Sequence, residues 1–233
     1  MRGLITVRIT SRSLRRPVIL AAAVVLLHFL FVVAYFGMGW RSYTLRYIAD
    51  LNKENTFGTW LSAVFLLAAA VVAGLLACRT DRTNRRGWLT IAAVLTVASV
   101  DEIATFHEIV GEVVRRSLDL GGVLLYAWVL PVGLVVAVLA ASLLPFLVRL
   151  PRSIGRAMII AGFIYVVGAL GMELAEGWLD TRQLGNVGTA ILTGAEEAME
   201  MGGALLALSA MLDHAGGLRI SILDREMVPV AEE

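Results

Sequence analysis

Ser99-Val100-Asp101-Glu102-Ile103-Ala104-Thr105-Phe106-His107-Glu108-Ile109-Val110-Gly111-Glu112 lies inside a long apolar run, Trp88 to Val114, where a membrane-crossing helix would be greasy. At about 100° per residue, Asp101, Thr105, Glu108 and Glu112 share one side of a helix, an acidic stripe on an apolar rod. A carboxylate in hydrocarbon costs at least a few kcal/mol unless something neutralises it. What neutralises this stripe is the functional question.

Working outward, the chain has 233 residues, 58% hydrophobic and only 17% charged, with a mean hydropathy of +0.79. Such a composition excludes an ordinary soluble domain and predicts an all-α integral membrane protein. Six segments can cross a core of about 30 Å: residues 18–38, 58–77, 88–114, 122–148, 157–179 and 187–212. The expected organisation is a basic arm over 1–17, a six-span domain over 18–212 and a short flexible tail over 213–233. The first apolar run is too long for a cleaved signal and reads as a retained anchor.

Arginines orient the bundle. Arg2, Arg8, Arg12, Arg15 and Arg16 precede span one, Arg79, Arg82, Arg85 and Arg86 separate spans two and three, and Arg149, Arg152 and Arg156 separate four and five. The opposite loops hold Arg41, Arg46, Lys53, Arg115, Arg116 and Arg182. This asymmetry predicts cytoplasmic termini in a bacterial inner membrane and explains the arginines without nucleic acid. The basic arm is expected on the anionic inner leaflet. Cys78 is the only cysteine, so no intrachain disulfide forms.

Along the chain, His28 near the middle of span one is expected to bond a backbone carbonyl rather than a metal. The loop 41–57 carries Tyr43, Leu45, Tyr47, Ile48 and Leu51, enough apolar content for a short interfacial helix roofing what lies beneath. Asn55 or Thr56 is expected to cap span two, with Trp60 as an interfacial anchor. Span two, apolar apart from Ser62, reads as scaffold. Pro131 is expected to kink span four.

Glu173, Glu176 and Asp180 share a face of span five. On span six, Glu196 and Glu200 share a face with Thr189, Thr193 and Gly203, with Glu197 beside them. Small residues there permit close helix approach, and Met199 and Met201 read as packing. In the expected topology these acids and those of span three form one polar column. No Lys or Arg lies in any span to pair with it. On a straight span three, Glu102 and His107 point away from Asp101. Convergence of Asp101, Glu102, His107 and Glu108 would need a π-bulge between Glu102 and His107.

Bound metal, protons or water would each neutralise the column. In the metal reading Asp101, Glu108, Glu173, Glu196 and Glu200 are ligands for iron, manganese or zinc, with Glu176 a ligand or a group behind them. His107 is then ligand or proton carrier, and Glu102 and Glu197 supporting groups or general base, in a membrane enzyme acting on a lipid-soluble substrate. No Glu-x-x-His pair is present, a departure from soluble di-metal bundles. In the rival reading the same acids carry a transported cation or protons. A third reading makes them protonated structural links in an assembly protein.

The runs Glu54-Asn55-Thr56-Phe57-Gly58-Thr59-Trp60, Val100-Asp101-Glu102-Ile103-Ala104-Thr105-Phe106-His107-Glu108, Gly171-Met172-Glu173 and Glu196-Glu197-Ala198-Met199-Glu200-Met201-Gly202 carry a resemblance. Over spans two to six the chain resembles an uncharacterised family of bacterial multi-pass membrane proteins. The resemblance implies the six-span architecture and no activity.

Overall fold

The computed structural model describes residues 4–53, 56–181 and 185–223. Glu54, Asn55 and Arg182, and the end of the expected tail, 224–233, lie outside the described residues. Strand β1 (Leu4–Ile9) leads through a 3₁₀ turn into α1 (Arg15–Val32), which ends in a π segment, Val33–Gly37. Helices α2 (Tyr43–Ala49), α3 (Phe57–Arg79), α4 (Arg82–Ala104), α5 (Phe106–Leu118) and α6 (Val129–Arg149) follow. Then come α7 (Arg152–Val166), a second π segment (Val167–Met172), α8 (Glu173–Thr181), α9 (Gly185–His214) and strand β2 (Leu218–Leu223).

Local chemistry starts several helices where they start. Ser42, Thr56 and Asp81 are the residues before α2, α3 and α4, and each side chain accepts a backbone N–H three residues on. Thr56 is therefore the cap of span two, and α2 is the short helix expected in the first outer loop. Helix α9 is the hub, packing against α1, α3, α7 and α8. Met201, Met211 and Leu212 are fully buried on it, so Met201 is core. At one end of the bundle, the buried Trp88 ring packs edge-on against Phe146 (5.2 Å) and beside His214 (5.4 Å).

Among the described residues, five helical stretches are long and apolar enough to cross a membrane: Ser11–Gly37, Phe57–Arg79, Arg82–Ala104, Val129–Arg149 and Arg152–Asp180. Large apolar side chains such as Leu26, Val97, Val138 and Phe163 stand exposed on four of them. An apolar outer surface of that kind suits lipid better than water. The remaining long helix, α9, runs 30 residues, about 45 Å at 1.5 Å per residue.

Several expectations are corrected. Span three is not one helix over 88–114: it breaks at Thr105, whose φ of 49° and ψ of 37° are left-handed. The stripe from Asp101 to Glu112 therefore does not run along one helix face. The π distortion expected there occurs instead at Val33–Gly37 and Val167–Met172. Residues 122–128 precede α6 rather than belonging to it. Pro131 sits in the first turn of α6, where its missing N–H costs nothing, and the interior proline is Pro145. The arm and the start of the tail pair as an antiparallel ribbon, with Thr6 opposite Ser221 and Arg8 opposite Arg219.

Candidate functional site in the helix bundle

The break at Thr105 leaves backbone groups that need partners, and Asp101 supplies them. Its main-chain oxygen accepts from Thr105 N (2.7 Å), and its carboxylate accepts from His107 N (3.0 Å). The same carboxylate bonds His107 Nδ1 at 2.7 Å. Asp101 thus caps α5 and orients the imidazole, which lies 5.0 Å from the Trp128 ring. Carboxylate caps of this kind stabilise a helix start by about 1 kcal/mol. Glu112 is turned elsewhere, onto Arg115 and Arg116 of its own helix.

The second half of the site is built between α8 and α9. Gly168, in the π segment, faces α9 so closely that an added Cβ would lie 3.0 Å from Met199 Cβ and 3.3 Å from Glu200 Cγ. Gly203 meets α7 in the same way, 2.9 Å from Ala161 O. The expected small-residue face therefore closes the gap between the helices that carry the acids. Glu176 and Glu200 are only 4% and 8% exposed, which removes both from lipid and bulk water. Glu196 lies within charge range of Glu173, Glu176, Glu197 and Glu102. Glu200 has Glu102, Glu197, Glu196 and Glu173 around it.

Hydroxyls accompany these acids. Thr193 Oγ1 donates to Glu176 Oε1 at 2.8 Å, with Asn52 Oδ1 (3.2 Å) and Thr189 O (3.1 Å) as alternative acceptors. Thr189 Oγ1 donates to Asp180 Oδ1 (3.3 Å), and Ser62 Oγ to Glu197 Oε2 (3.3 Å). Tyr165 stands near Glu200, Glu102, Glu197 and Asp101, and Tyr126 near Glu176, Glu173, Asp180 and Glu196.

His28 is fully buried away from these acids. Nε2 lies 2.7 Å from Ala190 O, the shortest of its contacts, and Nδ1 lies 3.1 Å from both Ala49 O and Leu51 N; with the proton on Nε2 the ring donates to Ala190 O and accepts from Leu51 N. The ring ties α1, α9 and the first outer loop together, the backbone-bonded role expected of it. In the same loop Asn52 Oδ1 lies 3.2 Å from Thr193 Oγ1, so the loop reaches the hydroxyl that serves Glu176.

Glu102, Glu173, Glu176, Glu196, Glu197 and Glu200 gather around α9, Asp101 and His107 meet at the start of α5, and His107 and Glu108 lie within charge range of Glu173. Among the described residues, no three His, Cys, Asp or Glu side chains are arranged to hold a metal ion. Trp128 Nε1 and Glu173 Oε2 are both buried, and the indole N–H is the hydrogen-bonding neighbour of the Glu173 carboxyl. Sequence reasoning passed over Ser62, Asn52, Tyr126 and Tyr165. The signal for Tyr165 was a phenol in an apolar run, which needs a partner when buried. For Ser62 it was the one hydroxyl in the otherwise apolar stretch from Leu61 to Ala77.

Fold and site define a polytopic helical membrane protein with carboxyl groups held inside its bundle. Residues 17–215 match a domain of unknown function, DUF8692, and the chain belongs to that family. No curated protein and no solved structure matches the chain.

Proposed function

We propose that this protein is a six-span protein of a bacterial inner membrane, with both termini cytoplasmic, that relays protons along its intramembrane acids. The observation that carries the relay is the alternation of buried and half-buried acids and hydroxyls around α9: Asp180 with Thr189, Glu176 with Thr193, then Glu196, Glu200 and Glu197 with Ser62. Carboxyls linked through hydroxyls and phenols pass protons by short hops, and intramembrane acids are the usual carriers in pumps and transporters. Supporting the topology, the β1–β2 ribbon holds the two ends of the chain together, so an even number of crossings is needed. The five apolar stretches together with α9 supply six.

The test is proton flux into vesicles holding the full chain, driven by a potassium gradient with valinomycin and read with an internal pH dye. Glu196→Gln and Glu200→Gln should each slow the flux by about a hundredfold, the scale of losing one positioned proton carrier. Wild-type flux no faster than that of empty vesicles would overturn the relay.

A divalent transition metal, iron, manganese or zinc, in a membrane enzyme acting on a lipid-soluble substrate is a second reading with one supporting observation. The buried Glu173 carboxyl has His107 and Glu108 within charge range, with only the Trp128 indole as a neutral donor beside it. The donor set falls short of three converging ligands, so no step is routed through a metal. Elemental analysis after chelator dialysis distinguishes the two: a metal present in wild type and lost in Glu173→Ala/His107→Ala would favour the enzyme over the relay.

A further inference from the structure

A groove of about 1090 Å³ runs between α1 and α9, on a part of the surface separate from the acids. At one end stand Arg12 and Arg15. Small residues, Ala22, Ala198 and Gly202, line it together with Val25, Met201 and Leu205, and Phe29 lies at the far end. A Cβ built on Gly202 would meet nothing within 4 Å, so the absence of a side chain there leaves open space. Neither arginine is ion-paired to a carboxylate among the described residues. From Arg12 to Phe29 the chain advances about 25 Å at 1.5 Å per residue. That is more than half of a hydrocarbon core of about 30 Å.

Two guanidinium groups without a carboxylate partner among the described residues, at the end of a membrane-depth apolar channel, match a molecule with a phosphate at one end and an alkyl chain at the other. We propose that the α1–α9 groove binds one anionic glycerophospholipid, its phosphate on Arg12 and Arg15 and an acyl chain along Ala22, Gly202 and Ala198 toward Phe29. Arginine suits the phosphate because its planar fork donates two parallel hydrogen bonds. The channel suits the acyl chain because its walls are apolar, with Val25, Leu26, Met201 and Leu205 beside the small residues. The arginines precede the long apolar run of α1, so the bound lipid belongs to the leaflet on the side of the two termini.

The experiment is native mass spectrometry of the full chain in detergent, titrated with phosphatidylglycerol or with phosphatidylcholine of the same acyl chains. Wild type should retain one phosphatidylglycerol and prefer it by about 25-fold, a factor of about five for each arginine. Arg12→Gln/Arg15→Gln should abolish the preference, and Arg12→Lys/Arg15→Lys should keep part of it. Gly202→Leu leaves both charges and fills the channel, and it should lose the retained lipid while its melting temperature stays near wild type. Equal retention of the two lipids by wild type would overturn the proposal. So would undiminished binding in Gly202→Leu, which would mean that the arginines attract anionic membrane without a seated chain. Displacement of the lipid by glycerol phosphate at equal concentration would overturn it as well, because the groove would then contribute nothing.

Discussion

Thr105 is a β-branched residue in the left-handed region, a conformation that costs an L-residue about 1–2 kcal/mol. It is held by what surrounds it: Asp101 takes up the freed N–H groups on one side, and Thr105 O accepts from Glu108 N (3.1 Å) on the other. Glycine has no Cβ to strain there. Thr105→Gly should therefore keep or raise the melting temperature in detergent. Ala104→Gly, one residue earlier in the last turn of α4, should lower stability by about 1 kcal/mol. A loss in Thr105→Gly as large as in Ala104→Gly would show that the break carries no strain. Asp101 illustrates what single residues disclose. Its acidity was plain in the sequence and marked it for the site, but its work as a cap depends on a break that no periodicity announces.

Helices α7, α8 and α9 meet through absent side chains. A Cβ at Gly203 would lie 2.9 Å from both Ala161 O and Tyr165 Cβ, backbone and stem atoms that cannot swing away. Gly203→Val should push α7 from α9 and destabilise the bundle by about 1–3 kcal/mol. Gly202→Ala, next in line and facing open space, should be neutral or gain up to about 1 kcal/mol. Thermal unfolding of the two variants side by side checks the pair; equal losses would mean that the close approach is not what holds α7. The π segment at Val167–Met172 belongs to the same junction, since it sets Gly168 where an added Cβ would lie 3.2 Å from Glu196 O. The Glu173–Glu176–Asp180 face was legible from spacing alone. The π segment was not, because a one-residue change in winding leaves no mark in an apolar run of Val, Gly, Ala and Leu.

Across the whole molecule, the ribbon between β1 and β2 places both ends of the chain on one side of the bundle. Single cysteines replacing Thr6 and Asp213, in a Cys78→Ser background, should react with a membrane-impermeant maleimide from the same side. A cysteine replacing Met38, which is 76% exposed beyond the other end of α1, should react only from the opposite side. Labelling of Thr6 and Asp213 variants from opposite sides would break the even-crossing topology. The ribbon was outside what the chain's order suggested, because it joins residues more than two hundred positions apart, and a short basic arm carries no information about a distant partner.

By itself the sequence determined the solvent and the architecture that solvent demands. Apolar runs of membrane length, with arginines sorted between their ends, leave helices as the form that satisfies every backbone group inside the segment. It also determined which residues are out of place there, the acids at 101–112, 173–180 and 196–200. Tertiary structure alone decided the company of those that reach across helices: Glu176 on Thr193 and Glu197 on Ser62. The reason is geometric. Helical periodicity says which face a residue occupies, whereas a partner on another helix depends on how far that helix has been turned and how closely it comes, and here both are set by breaks, π turns and glycines.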